Sequence, residues 1–195
     1  MPAPAQTFQT LLTDVSPSAK TGSAAVTIPA TGSTPAVHLD YNKLKDYVGN
    51  FAEVLKGSGV QGGQVVSLSL VNSLEFVGAF LATGWLRAVS APLNPAYSQD
   101  EIEFYLTDTK SSILIVKEGE TSDDKPTLKA AKKCGVKVVS VKLSPGQGGN
   151  VKVGLKTVYD PSTGGAGKVS LNDPYSAYSN GLNDDRNSRQ TSLSK

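Results

Sequence analysis

Residues 65–97 read VVSLSLVNSLEFVGAFLATGWLRAVSAPLNPAY, and this stretch decides the fold. An apolar run at 65–71 is followed by a helical pattern over 72–86 and then by a second short apolar run at 88–92. Apolar strands that alternate with amphipathic helices are typical of a mainly parallel sheet whose two faces are covered by helices.

The helix inside this stretch is predicted to begin at Asn72. The Asn72 side chain can cap the free amides of the first turn, and Glu75 stands three residues on, as in a capping box. Apolar residues at helical spacing are expected to form the inward face: Leu74, Val77, Phe80, Leu81 and Trp85.

The same alternation continues on both sides of the stretch. A helix is predicted from Tyr41 to the stop signals at Gly57 and Gly59. Another begins at the capping box of Ser98 and Glu101, and a fourth runs between Pro126 and Gly135. Strands are predicted after them, at 112–116 and 136–141. From residue 41 to 141 a helix and a strand alternate four times, which predicts an α/β fold.

The first part of the chain has a different character. Residues 1–37 are rich in Ala, Pro, Thr and Ser and are predicted to form a lead-in with a hairpin between 24–28 and 37–39. Three apolar residues near the start have the spacing of one short helical turn: Phe8, Leu11 and Leu12.

The chain also changes after about residue 143. Short strands are expected at 151–153 and 155–159, and residues 161–195, with little apolar periodicity, are expected to be a largely disordered tail. The predicted organisation is therefore the lead-in over 1–37, an incomplete domain over 38–160 and a divergent tail over 161–195.

Composition excludes several classes of function. The chain has 195 residues and a net charge of +2, too small to indicate nucleic acid or an anionic membrane as a partner. The single cysteine, Cys134, excludes an internal disulfide and a multi-cysteine zinc site, and it is predicted to be a half-buried apolar residue. The single histidine, His38, is far from any nucleophile motif. The longest apolar run, 76–86, is too short to span a membrane.

One glycine-rich segment, residues 162–168, is a candidate phosphate loop. Backbone amides with glycine freedom can cradle a phosphate that Lys168 would neutralise. The Walker pattern fails, because Ser162 stands where the first glycine is needed and Val169 where Ser or Thr should follow the lysine. A flexible linker is the favoured interpretation, and no catalytic, cofactor-binding or metal-binding residue is assigned.

Several motifs in order carry a resemblance to a known family. They are LDYNKL at 39–44, NSLEF at 72–76, GWLRA at 84–88 and APLNPAY at 91–97. In the last of these, Asn94 is expected to bond neighbouring backbone in the turn. As a set they resemble the N-terminal part of the AMP-forming acyl-CoA synthetases, the AMP-dependent synthetase/ligase family. The resemblance covers about residues 7–143 and, more weakly, continues to 173. VTIP and APLNPAYSQDEIEFYL are most similar to the peroxisomal oxalate–CoA ligase-like branch of fungi and plants.

The resemblance implies a two-step activity. Full-length members couple a carboxylate to ATP, forming an acyl-adenylate and pyrophosphate, and then transfer the acyl group to coenzyme A; Mg²⁺ is implied as well. The family pattern is lost after Asn172-Asp173-Pro174, where the phosphate loop should follow. The chain is therefore expected to be truncated before that loop, inactive alone and without its own ATP, Mg²⁺ or coenzyme A site.

Localisation and partners are expectations of the same kind. Relatives of the oxalate branch are often peroxisomal through a terminal Ser-Lys-Leu signal, but this chain ends in residues 192–195, SLSK, so a soluble cytoplasmic protein is expected. An incomplete sheet leaves an unpaired edge that favours self-association. The alternative to a ligase is a non-catalytic interaction module that binds a partner or a full-length paralogue. A third hypothesis is a small phosphate or nucleotide binder that uses residues 163–168.

Overall fold

The fold is described by a computed structural model for Phe8 and for residues 22–30, 36–146 and 149–163. These residues form a two-stranded hairpin and a five-stranded sheet with four helices. In chain order the elements are β1 (Ala24–Ile28), β2 (Val37–Asp40), α1 (Tyr41–Gly57), β3 (Val65–Ser69), α2 (Leu74–Trp85), β4 (Val89–Leu93), α3 (Gln99–Asp108), β5 (Ile113–Lys117), α4 (Pro126–Cys134), β6 (Lys137–Pro145), β7 (Val151–Tyr159) and a 3₁₀ turn (Pro161–Thr163).

The large sheet has the strand order β4–β3–β5–β6–β7. β3 pairs in parallel with β4 and β5, and β5 pairs in parallel with β6. β7 is antiparallel to β6 and is one strand of nine residues, where the sequence predicted two short ones. The mainly parallel α/β fold is thus confirmed. Within the described residues β4 and β7 each have one neighbour, so self-association through an open edge stays a prediction.

The helices cover both faces of this sheet. Ile113 and Ile115 of β5 pack in the cluster under α1 and α2, whereas Leu114 and Val116 pack in the cluster under α3 and α4. The alternation of side chains along a strand produces this division. We call these the α1–α2 cluster and the α3–α4 cluster.

The start of α2 corrects the sequence prediction. Ser73, not Asn72, is the N-cap: its hydroxyl accepts a hydrogen bond from the amide of Phe76 at 3.4 Å. Both residue types cap helices well, so the sequence alone could not choose between neighbours. The helix begins at Leu74, so its cap lies one residue beyond the predicted one. The predicted capping box of Asn72 and Glu75 is therefore wrong, because Phe76 stands three residues after the cap.

The inward face of α2 was also predicted incorrectly in part. Leu74 is buried as expected, but Phe80 is 38% exposed, and Val77, Leu81 and Trp85 are only half-buried. The small residues carry most of the buried face: Gly78, Ala79, Ala82 and Thr83. A helix that is apolar nearly all round has no polar stripe that would reveal its outward side.

The other predicted helix ends are confirmed. Asp40 caps α1 by accepting a hydrogen bond from the Lys43 amide at 2.8 Å. Pro126 opens α4, and Gly135 closes it in the left-handed conformation with φ 66°. The hairpin of β1 and β2 is antiparallel, as the sequence indicated.

Two residues singled out by composition also have defined places. Cys134 is half-buried, as predicted, and His38 is exposed. No helix in the described part of the chain is long and apolar enough to span a bilayer. The predicted turn at Leu11 and Leu12 and nearly all of the tail lie outside the described residues, and the predicted domain boundaries stay predictions.

Candidate functional site

The carboxyl edge of the sheet is the place where this fold would hold a ligand. The helix after β3 lies on one face, whereas the helices after β4 and β5 lie on the other. The loops that leave the adjacent strands β3 and β5 therefore diverge, and in open α/β sheets such a switch point is the usual ligand crevice. We take the loops at 70–73, 94–98 and 118–125 as the candidate site.

The loop after β4 is held by its own asparagine. The Asn94 side-chain oxygen accepts a hydrogen bond from the Ala96 amide at 3.0 Å, and its backbone carbonyl accepts one from the Tyr97 amide at 3.1 Å. This confirms the prediction that Asn94 bonds neighbouring backbone. Pro92 is tolerated in β4 because the strand lies at an edge, where a missing amide breaks no central ladder.

The capping box that follows fixes the start of α3. Ser98 donates to the Glu101 carboxylate through its hydroxyl at 2.7 Å and its amide at 2.8 Å, and the Glu101 amide donates to the Ser98 hydroxyl at 3.4 Å. The two Ser98 hydrogen bonds lower the pKa of Glu101. Tyr97 stacks on Tyr105, with 5.2 Å between ring centroids. The motif that carries the resemblance therefore uses its side chains to position α3.

The loop after β5 offers surface ion pairs. Glu118 and Lys142 lie 3.1 Å apart with more than half of each side chain exposed, so the pair adds little stability. Lys132 pairs with Asp123 at 2.8 Å. A hydrogen bond from Ser122 lowers the pKa of Asp124. These charges are solvated and form no enclosed acid–base pair.

Two open clefts in the described part of the chain lie beside this site rather than in it. One of about 460 Å³ lies on the outer side of α3, lined by Asp100, Glu103 and Phe104 among others. Another of about 670 Å³ lies between α1 and the turn joining β6 to β7, lined by Glu53 and Asn150 among others. Within the described residues no group of three or more His, Cys, Asp or Glu side chains could hold a metal ion.

The start of the candidate phosphate loop lies near the amino ends of the parallel strands, opposite the carboxyl edge. Asp160, directly after β7, accepts hydrogen bonds from the Ser162 amide at 2.9 Å and the Ser162 hydroxyl at 2.6 Å. The Thr163 hydroxyl donates to the Asp160 carbonyl at 2.9 Å. Both hydroxyls thus bond to Asp160 within a local turn near the first residue of β6. Residues 164–168 of the candidate loop lie outside the described part of the chain.

Asp160 also belongs to a set of polar contacts around Lys137, made with Asp160 and Ser58, that the sequence did not reveal. We call this set the Lys137 clasp. Lys137 lies 3.0 Å from the Asp160 carboxylate and donates to the Ser58 carbonyl at 3.0 Å. The lysine thus joins the ends of α1 and β7. The hydrogen bonds from Ser162, with that from Lys137, lower the pKa of Asp160 to about 2. These partners are far apart in sequence, so no local pattern marks them.

We expect the contribution of this clasp to depend on pH. Because the folded-state pKa of Asp160 is about 2 and the unfolded value is about 3.9, the stabilisation is complete above the unfolded value and is lost as pH falls through the folded value. Urea unfolding of the parent chain and of Asp160→Asn should give stabilities that differ at pH 6 and converge towards pH 2. A difference that stays constant over this range would contradict the prediction.

Comparison with known proteins identifies the family. The family model for "AMP-binding enzyme" matches residues 18–169, which is most of the chain. A probable CoA ligase, CCL9, of Humulus lupulus is 46% identical over 78 residues, which are 40% of this chain and 15% of that protein. The oxalate–CoA ligase of Arabidopsis thaliana is 38% identical over 108 residues, 54% of this chain and 20% of that protein.

The fold has matches among solved structures. The crystal structure of apo MatB from Rhodopseudomonas palustris aligns with a TM-score of 0.54 at 24% identity, over 68% of this chain and 25% of that one. This likeness shows the fold, and the chain spans a fifth or less of each of the two curated relatives. Because the family model matches most of its residues, the chain belongs to the AMP-binding enzyme family.

Proposed function

We propose that this chain supplies the N-terminal scaffold of an AMP-forming acid–CoA ligase. The complete ligase would activate a carboxylate with ATP to an acyl-adenylate and pass the acyl group to coenzyme A. The observation that carries the proposal is the family match over residues 18–169, because it contains the whole five-stranded sheet. The names of the two relatives, both CoA ligases, support it further.

The scaffold role follows from what the family-like residues do. Asn94 accepts hydrogen bonds from the Ala96 and Tyr97 amides, and Ser98 and Glu101 bond to each other, so these polar groups hold the turn between β4 and α3. None of them points an unpaired charge into an enclosed cavity of the described part. Residues of this kind hold a framework at a fixed geometry, on which reacting groups elsewhere depend.

We further propose that the described residues do not hold ATP, Mg²⁺ or coenzyme A by themselves. The two clefts described above are open, and the Asp and Glu side chains at the carboxyl edge are exposed or paired with lysine or serine. We therefore propose that the binding of these groups belongs to the complete ligase and that the 195-residue chain alone does not catalyse adenylation. The alternative of a non-catalytic interaction module is not favoured, since both relatives named above are CoA ligases.

A pyrophosphate-exchange assay tests this proposal. The purified chain, with ATP, Mg²⁺ and a panel of carboxylates that begins with oxalate, is expected to give no exchange above the protein-free rate. A chimera tests the scaffold itself: residues 24–159 replace the matching segment of the Arabidopsis oxalate–CoA ligase, and the chimera should retain exchange.

The two results are independent. Robust exchange by the purified chain would overturn the claim of inactivity but leave the family chemistry intact. A chimera that folds, as judged by circular dichroism and a single unfolding transition, yet has lost exchange would overturn the scaffold role. The unmodified Arabidopsis enzyme provides the reference rate.

A further inference from the structure

The outer face of α2 carries an apolar row. Phe76 and Phe80 stack with 6.0 Å between ring centroids, and Gly84 follows at the same spacing of four residues, so all three lie along one stripe of the helix. We call this stripe the α2 row. Glu75 is the only charged residue of α2, and a helix that is apolar nearly all round requires cover on its outward side.

The gap that Gly84 leaves in the row is filled by a residue from the start of the chain. A Cβ atom placed on Gly84 would lie 2.8 Å from Cδ2 and 3.0 Å from Cε2 of Phe8. The Phe8 ring therefore sits directly on the Gly84 backbone, where a third side chain of the row would be. Phe8 is 42% exposed, so a little over half of it is covered.

We infer that the N-terminal segment, residues 1–21, is the occupant of the α2 row, with Phe8 as its anchor. Phe8 already contacts the row at Gly84. Leu11 and Leu12 follow it at helical spacing, and Asp14 and Lys20 are the only charged side chains in the segment. The segment is almost uncharged and carries large apolar side chains at Phe8, Leu11 and Leu12, so it matches the uncharged row by chemistry. It lies in the same chain, so docking requires no second molecule.

A double-mutant cycle between Phe8 and Gly84 tests the inference. In a Phe8→Ala background, Gly84→Ala should raise the folding equilibrium constant about threefold, because alanine forms helix better than glycine. In the parent, the new methyl group meets the Phe8 ring and displaces it, so the same substitution should lower the constant. We expect the two effects to differ about tenfold, within the range of couplings between contacting residues.

Gly49→Ala is the matched control. Its new Cβ would lie 3.8 Å from the Trp85 ring, an ordinary contact, so it should have one effect in both backgrounds. If Gly84→Ala alone does not fold, recovery of folding on adding Phe8→Ala is the expected result, and failure to recover would overturn the inference.

Two other outcomes would also overturn it. One is an equal effect of Gly84→Ala with and without Phe8. The other is an effect that grows when urea unfolding is repeated at a hundredfold higher chain concentration, because that would assign the row to a second copy of the chain.

Discussion

Replacing Gly78 with alanine is expected to destabilise the chain by about 3 kcal/mol. A Cβ atom at Gly78 would lie 2.5 Å from Cζ of Tyr47 and 2.7 Å from Cδ2 of Phe51, and closer still to the tyrosine hydroxyl. Neither ring can retreat, because both are buried between α1 and α2. The loss outweighs the gain of about 1 kcal/mol that alanine brings to a helix.

The Tyr47 hydroxyl makes the site less tolerant still. It donates a buried hydrogen bond of 2.8 Å to the Leu74 carbonyl, and burial, with the charge of Glu75, raises its pKa. A shift of the ring would break this bond and leave the hydroxyl without a partner, which itself costs about 1–3 kcal/mol.

Urea unfolding measures the effect, and the same chain provides its control. Gly49 lies in α1, and its alanine variant makes only an ordinary contact, so it should raise the unfolding free energy by up to about 1 kcal/mol. If Gly78→Ala were as stable as Gly49→Ala, the close approach of α1 and α2 would not exist as described.

The order of helices and strands could be predicted from the sequence, whereas the burial of Gly78 and the exposure of Phe80 could not. Caps such as Ser98–Glu101 and the stop at Gly135 are local signals, so the helix and strand order could be predicted from them. Which face of α2 is buried could not, since large apolar residues occur all round it. The helix instead buries its small residues, because they let α1 and α2 approach closely.

Contacts between residues far apart in the chain could not be predicted from the sequence either. The Lys137 clasp joins residues 79 positions apart, at Ser58, and 23 apart, at Asp160. β7 could be predicted as extended chain, but the residues at 144–150, rich in Gly and Pro, suit a linker as well as a hairpin turn, so its antiparallel pairing with β6 could not be predicted. For the candidate site, the sequence predicted the structural role of Asn94 correctly, because turn chemistry is also local.

Replacing Leu114 or Ile115 with alanine is expected to cost about 2–5 kcal/mol each. Both side chains are fully buried, and they are neighbours on β5, yet Leu114 belongs to the α3–α4 cluster and Ile115 to the α1–α2 cluster. Such losses approach the whole stability of an ordinary domain. Val71→Ala, at a position 53% exposed, should change stability by less than about 0.5 kcal/mol.

The pair of substitutions also tests whether the two clusters unfold together. They share the same five strands, so a cavity on either face should weaken a single cooperative transition, with the urea dependence of the unfolding free energy unchanged. Tryptophan fluorescence reports the α1–α2 side, because Trp85 lies there, and circular dichroism reports the whole fold. If Leu114→Ala shifted the circular dichroism transition but not the fluorescence, the faces would unfold separately, and the sheet would not couple them.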